Sequence, residues 1–208
     1  MHESISAIAS SSASPMVRVA ANEEWLIKST EIPEFQSTGA LDAGAHGISV
    51  PMLRTEDDAR KMVSYAKYPP LGIRGFGPPF AVSRLGLRNA QEYLLTANES
   101  LLTIAQIETK EALANVDAIA AVPGVDVLIV GPSDLGNSIG RPILNGAMHD
   151  ELKNGILRVL EASRKHQKHA CMYCASAAEA EFWLKKGFRM VRILADIRVF
   201  GADQNSSL

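Results

Sequence analysis

The chain has 208 residues, of which 47% are hydrophobic and 21% are charged, and its formal net charge at pH 7 is −2. That length fits one globular domain but is short for an eight-unit α/β barrel, which typically has about 250 residues. The near-neutral charge argues against a nucleic-acid or anionic-membrane surface. No apolar run reaches the ~20 residues of a membrane span.

Short apolar runs typical of strands alternate with helical patterns. A strand is predicted over PMVRVA (15–20), and NEEWLIKS (22–29) begins a helix. GISVPM (47–52) predicts the next strand, and TEDDARKMVSYAKY (55–68) predicts a helix with Thr55 as its N-cap. The helical period places four apolar residues on the buried face of that helix: Ala59, Met62, Val63 and Ala66.

The alternation continues to residue 195. Four further strands are predicted: LLTIAQIE (101–108), VDVLIVG (125–131), HACMYC (169–174) and FRMVRILA (188–195). Helices are predicted after the first three of them: KEALANVDAIAAV (110–122), residues 148–166, and SAAEAEFWLKKG (176–187). Thr109 is the expected cap of the first of these helices, and Gly187 is expected to end the last.

The repeated strand–helix order predicts a parallel sheet with helical crossovers. Local pattern leaves two architectures open, an open doubly wound sheet and a closed barrel. No dinucleotide-binding glycine fingerprint follows the first strand, which argues against an open nucleotide-binding sheet. Two stretches break the alternation: TEIPEFQSTG (30–39) is interpreted as an irregular insertion, and GADQNSSL (201–208) as a disordered tail.

The two cysteines, Cys171 and Cys174, form a C-x-x-C pair within one apolar run. No second pair of metal ligands accompanies them, and in a strand their side chains would face opposite sides. We therefore predict buried free thiols in a reducing compartment. The first residues lack the positive start and apolar core of a secretion signal, so a cytoplasmic location is expected.

Two acidic residues lie where neighbouring strands are predicted to end. Glu108 is the last residue of LLTIAQIE, and Asp134 follows VDVLIVG in the predicted loop GPSDLG. Since the carboxyl ends of parallel strands share one edge, the two carboxylates are placed to converge. Two hard oxygen ligands completed by water suit Mg²⁺ or Mn²⁺ better than zinc. Alternatively, Glu108 caps the next helix and Asp134 makes an Asx turn.

Other candidates lie near the same edge. Arg18, near the end of PMVRVA, can grip a carboxylate or stabilise an oxyanion, or it forms a surface ion pair. Gln106 alternates with Glu108 on one strand face, and either points into the site or packs as a core amide. The glycines of RGFGPPF (74–80) allow close backbone approach to a ligand. His46 begins a strand, away from that edge, and is interpreted as structural.

Four segments, in this order and spacing, resemble the HpcH/HpaI aldolase family: AGAHGISVPM, KYPPLGIRGFGP, QIETKEAL and VPGVDVLIVGPSDLG. The family comprises class II, metal-dependent pyruvate aldolases on a phosphoenolpyruvate/pyruvate-binding barrel. The resemblance therefore implies a (β/α)8 TIM-type barrel, as a single domain over residues 1–200. It also implies that this barrel is incomplete, with seven strands, and lacks the first strand and the terminal helix that relatives exchange between subunits.

The resemblance implies roles for five positions in ligand binding. Glu108 and Asp134 match the two metal ligands, for which Mg²⁺ or Mn²⁺ is expected and Co²⁺ is compatible. Gln106 matches the residue that fixes the oxo acid. Backbone amides around Pro132 and Ser133 match the contacts to the carboxylate of that acid.

Two further positions match residues of the chemical step. Arg18 matches the arginine that stabilises the enolate-like transition state, and Asp42 matches an aspartate that raises the basicity of a catalytic histidine. Retro-aldol cleavage develops charge on the former keto oxygen and requires a base for the C4 hydroxyl. That histidine follows the family's first strand, and His2 lies in the wrong element to replace it.

The expected function is an aldolase that cleaves or forms 4-hydroxy-2-oxo acids through a metal-stabilised pyruvate enolate. Its partners would be a pyruvate-type oxo acid and an aldehyde, with no nucleic acid and no membrane, and relatives are homo-oligomers. Two alternatives remain open: a non-catalytic protein that binds metal and oxo acid without the base, and an unstable fragment with neither property.

Overall fold

Six strands form one parallel sheet in the computed structural model, which describes residues 2–19, 39–78 and 80–192. The strands follow chain order, and every neighbouring pair is parallel. Their bounds are Met16–Arg18 (β1), Gly47–Val50 (β2), Leu102–Ile107 (β3), Val127–Val130 (β4), His169–Tyr173 (β5) and Met190–Arg192 (β6). Each lies within a predicted strand, so the parallel α/β class is confirmed.

Helices connect the strands, and residues 39–42 form one further helical turn. Their bounds are His2–Ser10 (α1), Glu56–Ala66 (α2), Ala81–Arg84 (α3), Ala90–Ser100 (α4), Lys110–Ala114 (α5), Val116–Ala121 (α6), Pro132–Ser138 (α7), Asp150–Lys165 (α8) and Ala177–Lys186 (α9). None of these helices is long and apolar enough to cross a membrane.

The structure differs from the sequence predictions in three places. The segment GPSDLG begins α7 and is not a loop, because Pro132 provides a suitable first helical residue. The helix predicted over 110–122 divides at Asn115 into α5 and α6. Helices α3 and α4 were not predicted.

Three predictions fall on residues that the structure does not describe: the helix start NEEWLIKS, the insertion up to residue 38, and the tail 201–208. The seventh strand of the expected barrel is not found within the described ranges. In those ranges, β1 and β6 each have one strand neighbour.

Alternate residues of the strands pack into two separate cores. One set, which includes Ile48, Leu128 and Met172, belongs to the large core that also contains buried residues of the helices. The other set forms a small apolar cluster of Ile104, Val127, Ile129 and Cys171. We call the sheet face that carries this small cluster the inner face.

The inner face becomes polar toward the carboxyl ends of the strands. Arg18 and Ser49 lie in register with Ile104, and Gln106 follows Ile104 on the same face. Glu108 continues that alternation one residue beyond β3. Strand periodicity therefore carries polar side chains from several strands to one end of the inner face.

The start of α2 shows how local sequence fixes an element. The side chain of Thr55 accepts a hydrogen bond from the Asp58 N–H at 3.2 Å, and the Asp58 carboxylate accepts one from the Thr55 N–H at 3.0 Å. This capping box satisfies two backbone donors that a helix start otherwise leaves unpaired. The buried residues of α2 are those predicted: Ala59, Met62, Val63 and Ala66.

Replacing Thr55 with alanine is expected to lower the free energy of unfolding by about 1 kcal/mol, because the cap hydrogen bond to Asp58 is lost. Urea denaturation checks this as a lower midpoint at an unchanged slope. The control is Thr96→Ala, which removes an exposed hydroxyl bonded within α4 to the Glu92 carbonyl. Equal losses in the two variants would contradict the assigned capping role.

Candidate active site

Glu108 is a buried carboxylate at the carboxyl end of β3. Its exposed fraction is 2%, and two hydrogen bonds hold its two oxygens. The Met52 N–H donates to Oε1 at 2.8 Å, and the Gln106 Nε2 donates to Oε2 at 2.5 Å. Met52 has a φ of +58°, an uncommon conformation for a residue other than glycine. The carboxylate is therefore held by Met52, which follows β2, and by Gln106 of its own strand, β3.

Gly131, directly after β4, leaves room for this pair of side chains. A Cβ at position 131 would lie 2.8 Å from the Glu108 Oε2 and 3.1 Å from the Gln106 Nε2. Both distances are too short for an unshifted side chain. Glycine fits at position 131 because the polar side chains of the neighbouring strand β3 lie too close to its backbone to leave room for a Cβ atom.

The charges of Asp134 and Arg18 act on the pKa of Glu108. Asp134 lies in the first turn of α7, and both it and Arg18 are exposed. Burial raises the pKa of Glu108, and the Asp134 carboxylate raises it further. The Met52 N–H, the Arg18 charge and the Gln106 amide all act to lower the pKa of Glu108. Charges from β1 and α7 thus act on one buried acid.

Glu108 does not cap the helix that follows it, and Asp134 does not form an Asx turn. The residue that caps α5 is Thr109, whose hydroxyl accepts a hydrogen bond from the Ala112 N–H at 3.0 Å. The Glu108 carboxylate instead accepts from Met52 and Gln106. Asp134 lies inside a helical turn and not in an Asx turn before it.

The oxygens at this end suit a hard divalent cation. Glu108 and Asp134 offer carboxylates, and the Oε1 of Gln106 is buried without a hydrogen-bond partner in the described chain. Among the described residues, no group of three or more His, Cys, Asp or Glu side chains is placed to hold a metal. Carboxylate and amide oxygens are the ligand type that hard divalent cations prefer.

The amides expected to contact the oxo acid lie at the start of α7. Pro132 is buried and has no N–H, so of the two predicted positions only Ser133 can donate from its backbone. Ser133 is exposed. The predicted ligand-binding role of both positions stays a prediction.

Asp42 is held by a residue that sequence reasoning did not identify. The Arg74 Nη2 donates to the Asp42 Oδ1 at 2.7 Å and to the Tyr93 hydroxyl at 2.9 Å. The Arg74 side chain is 0% exposed, and its guanidinium lies 4.6 Å from the ring centroid of Tyr68. The predicted role of Asp42 beside a histidine stays a prediction, because the contact described for its carboxylate is the one with Arg74.

Burial raises the pKa of Asp42, and the hydrogen bond and charge of Arg74 offset only part of that rise. Arg74 is the first residue of the glycine-rich loop RGFGPPF, and its charge beside those glycines is the sequence signal that could have identified it.

Comparison with known proteins identifies the family. The sequence profile of the HpcH/HpaI aldolase/citrate lyase family matches residues 1–200. The chain belongs to this family. The HpcH/HpaI resemblance of the QIET and GPSDL motifs is thereby confirmed, and the strands that carry them place their acids at one end of the sheet.

Two aldolases are about one third identical to the chain over the aligned residues. It is 37% identical over 162 residues to the hydroxypyruvate/pyruvate aldolase of Rhizorhabdus wittichii, which covers 78% of this chain and 63% of that enzyme. It is 32% identical over 194 residues to the 5-keto-4-deoxy-D-glucarate aldolase of Citrobacter koseri, with coverages of 93% and 70%. The chain therefore spans about two thirds of the length of these relatives.

Solved structures of the family share the fold. A crystal structure of an HpcH/HpaI aldolase/citrate lyase family protein from Burkholderia cenocepacia has a TM-score of 0.76 at 30% identity. The match covers 99% of this chain and 79% of that one. The six-stranded parallel sheet described above is thus the sheet of this family.

Cys171 and Cys174 are free and buried. They belong to the two different cores, so their opposite orientation is confirmed. Burial raises the pKa of Cys171 to about 12 and that of Cys174 to about 11. Both thiols are therefore protonated at neutral pH, and neither has the lowered pKa of a redox-active cysteine.

The folded HpcH/HpaI protein is expected to react with Ellman's reagent at pH 8 at least tenfold more slowly than the urea-unfolded chain, because both thiolates are rare and enclosed. The rate should rise with pH toward 10. Absorbance of the released thionitrobenzoate measures it, and cysteine at the same concentration is the reference. Rapid reaction of the folded protein would contradict the buried-thiol interpretation.

Replacing Arg74 with methionine is expected to destabilise the protein by about 3 kcal/mol, because Asp42 would lose the partner of a largely buried charge. The double variant Arg74→Met/Asp42→Leu should lose less, since no unpaired carboxylate remains. Urea denaturation of the wild type, both single variants and the double variant gives the coupling energy. Additive effects of the two substitutions would contradict the pairing.

Proposed function

We propose that this protein is a carbon–carbon lyase that cleaves or forms 4-hydroxy-2-oxo acids through a pyruvate enolate, with Mg²⁺ or Mn²⁺ as cofactor. The observation that carries the proposal is the buried Glu108 carboxylate, on which charges from Asp134 and Arg18 act at the carboxyl end of the sheet. The two relatives compared above are named as aldolases that act on oxo acids or related compounds.

The proposed metal ligands are Glu108 and Asp134. Glu108 is preorganised, because the Met52 N–H and the Gln106 amide fix its oxygens before any ligand arrives. Asp134 is more exposed, on the solvent side of the first turn of α7. When bound, a divalent cation supplies Lewis acidity toward the keto oxygen of the substrate, a contribution of several kcal/mol.

Arg18 is proposed to stabilise the negative charge that develops on the former keto oxygen. The guanidinium belongs to β1, at the opposite side of β2 from Glu108, and yet its charge acts on that acid. Removing one preorganised hydrogen-bond donor to a developing oxyanion typically costs about 2.7–4 kcal/mol of transition-state stabilisation. Gln106 and the Ser133 N–H are proposed to orient the carboxylate and keto group of the acid.

None of the contacts described for Glu108 involves a histidine. His46 and His169 lie at the amino ends of β2 and β5, and His149 and His166 lie at the two ends of α8. This observation favours a second candidate function: a protein that binds the cation and the oxo acid without catalysing cleavage. Asp42 would then serve structure through Arg74 and not catalysis.

One experiment separates the two functions. Mn²⁺ is titrated into the protein with and without pyruvate, and water-proton relaxation measures binding. Deuterium exchange into the pyruvate methyl group, followed by NMR, measures enolisation. Binding with exchange supports the lyase, binding without exchange supports the non-catalytic protein, and the lack of any binding would refute both.

Glu108→Gln is expected to weaken Mn²⁺ binding at least tenfold and to abolish any exchange, because it removes a ligand charge while keeping shape and burial. The matched control is Glu99→Gln, at an exposed position near the end of α4. Circular dichroism and thermal melts establish that both variants fold. Unchanged Mn²⁺ affinity in Glu108→Gln would exclude Glu108 as a ligand.

A further inference from the structure

A cavity lies at the opposite end of the sheet from Glu108. It is bounded by the carboxyl-terminal turns of α8 and α9 and by the amino end of β5, and its volume is about 560 Å³. That volume falls within the range of small-molecule sites in proteins, about 300–1,000 Å³. Nothing in the proposed aldolase chemistry uses this cavity.

All ionisable residues in the described lining of the cavity are basic. They are Arg164 from the end of α8, Lys168 and His169 at the start of β5, and Arg189 before β6. No aspartate or glutamate is among the lining residues that the structure describes. The remaining polar lining comes from Ser163 and Gln167. The cavity thus presents at least three permanent positive charges.

Two acids near the cavity, Asp117 and Asp126, interact with residues outside its lining. Asp117 is paired with Lys165 and His166, whose side chains do not line the cavity. Asp126, at the same end of the sheet, accepts hydrogen bonds from the Thr103 N–H and hydroxyl and lies 3.9 Å from Lys67. The cluster of lining cations is therefore not neutralised by these two carboxylates.

The Arg164 guanidinium is held in place by a backbone carbonyl, and backbone hydrogen bonds fix the main chain at Lys168 and Arg189. The Arg164 Nη2 donates to the Lys186 carbonyl at 2.9 Å. Gly187 makes room for that guanidinium, since a Cβ there would lie 1.9 Å from the Arg164 Nη2. The Lys168 N–H donates to the Ser163 carbonyl at 2.7 Å, and the Arg189 N–H donates to the Ala170 carbonyl at 3.2 Å.

Helix dipoles account for only part of this charge. The carboxyl ends of α8 and α9 each carry roughly half a negative charge, so the two together offset about one positive charge. Arg164, Lys168 and Arg189 supply three. About two positive charges therefore remain around a cavity large enough for a ligand.

We propose that this cavity binds a small organic or inorganic polyanion of the phosphate type, at a site separate from the catalytic end. Two guanidinium groups and an ammonium group match the oxygens of a phosphate or diphosphate, to which arginine binds bidentately. The polyanion lies between two helices and a strand end, so it joins elements that follow β4 and β5.

The test uses inorganic pyrophosphate and isothermal titration calorimetry at an ionic strength fixed with NaCl. We expect one saturable site, with affinity at least tenfold lower in Lys168→Met/Arg189→Met. The charge-matched control is Arg60→Met/Lys153→Met, which removes two exposed cations of α2 and α8. Citrate in a parallel titration distinguishes a phosphate site from a general polycarboxylate site.

Equal affinities in the two double variants, or the same heat when chloride replaces pyrophosphate at the same ionic strength, would overturn the proposal, as would tighter binding of citrate. The titration is repeated on Glu108→Gln, where pyrophosphate affinity should be unchanged. Binding to this cavity is thereby judged independently of the proposed aldolase function, because loss of the metal site leaves the expected result intact.

Discussion

The arrangement of the candidate site depends on keeping one carboxylate buried. Glu108 is almost inaccessible to solvent, and a charged group there is costly unless hydrogen bonds compensate it. The Met52 N–H and the Gln106 amide provide two such bonds, and Arg18 provides a countercharge. These partners come from β1, from the loop after β2 and from β3, so the acid requires three neighbouring strands in correct register.

Alternate side chains of the strands have different roles: one set packs against the helices, and the other lies on the face that carries the candidate site. Outward residues join the large core with the helices, while inward residues are apolar at the centre and polar at the carboxyl end. A shift of one residue in register would turn Gln106 and Glu108 into the apolar core. Apolar packing between sheet and helices therefore also determines that these polar side chains lie on the inner face.

Much of this could be predicted from sequence, because buried parallel strands appear as continuous apolar runs and helix ends carry capping residues. The positions of Glu108, Asp134, Gln106 and Arg18 near one edge followed from strand ends alone. Helix α4 was missed since its buried side chains are few, Tyr93 and Ala97, while Leu94 and Leu95 are exposed. Its hydrophobic period is consequently weak.

Helix α7 was missed for a different reason. Its sequence PSDLGNS contains a glycine and several short polar residues, which favour turns, and its helical form rests on Pro132 and the burial of Leu135. The contact between Arg74 and Asp42 spans 32 residues. A pairing over that distance depends on how loops fold across the sheet, which no local pattern specifies.

Because Gly131 has no side chain, the position of the Glu108 carboxylate can be changed without changing its charge. Because a methyl group there would press on the Glu108 oxygen and the Gln106 amide, an alanine would displace the carboxylate while every formal charge stayed in place. Gly131→Ala, which shifts the Glu108 carboxylate, can thus be compared with Glu108→Gln, which removes its charge and keeps its shape. Together, the two substitutions show whether the site depends on the charge of Glu108 or on the position of its carboxylate.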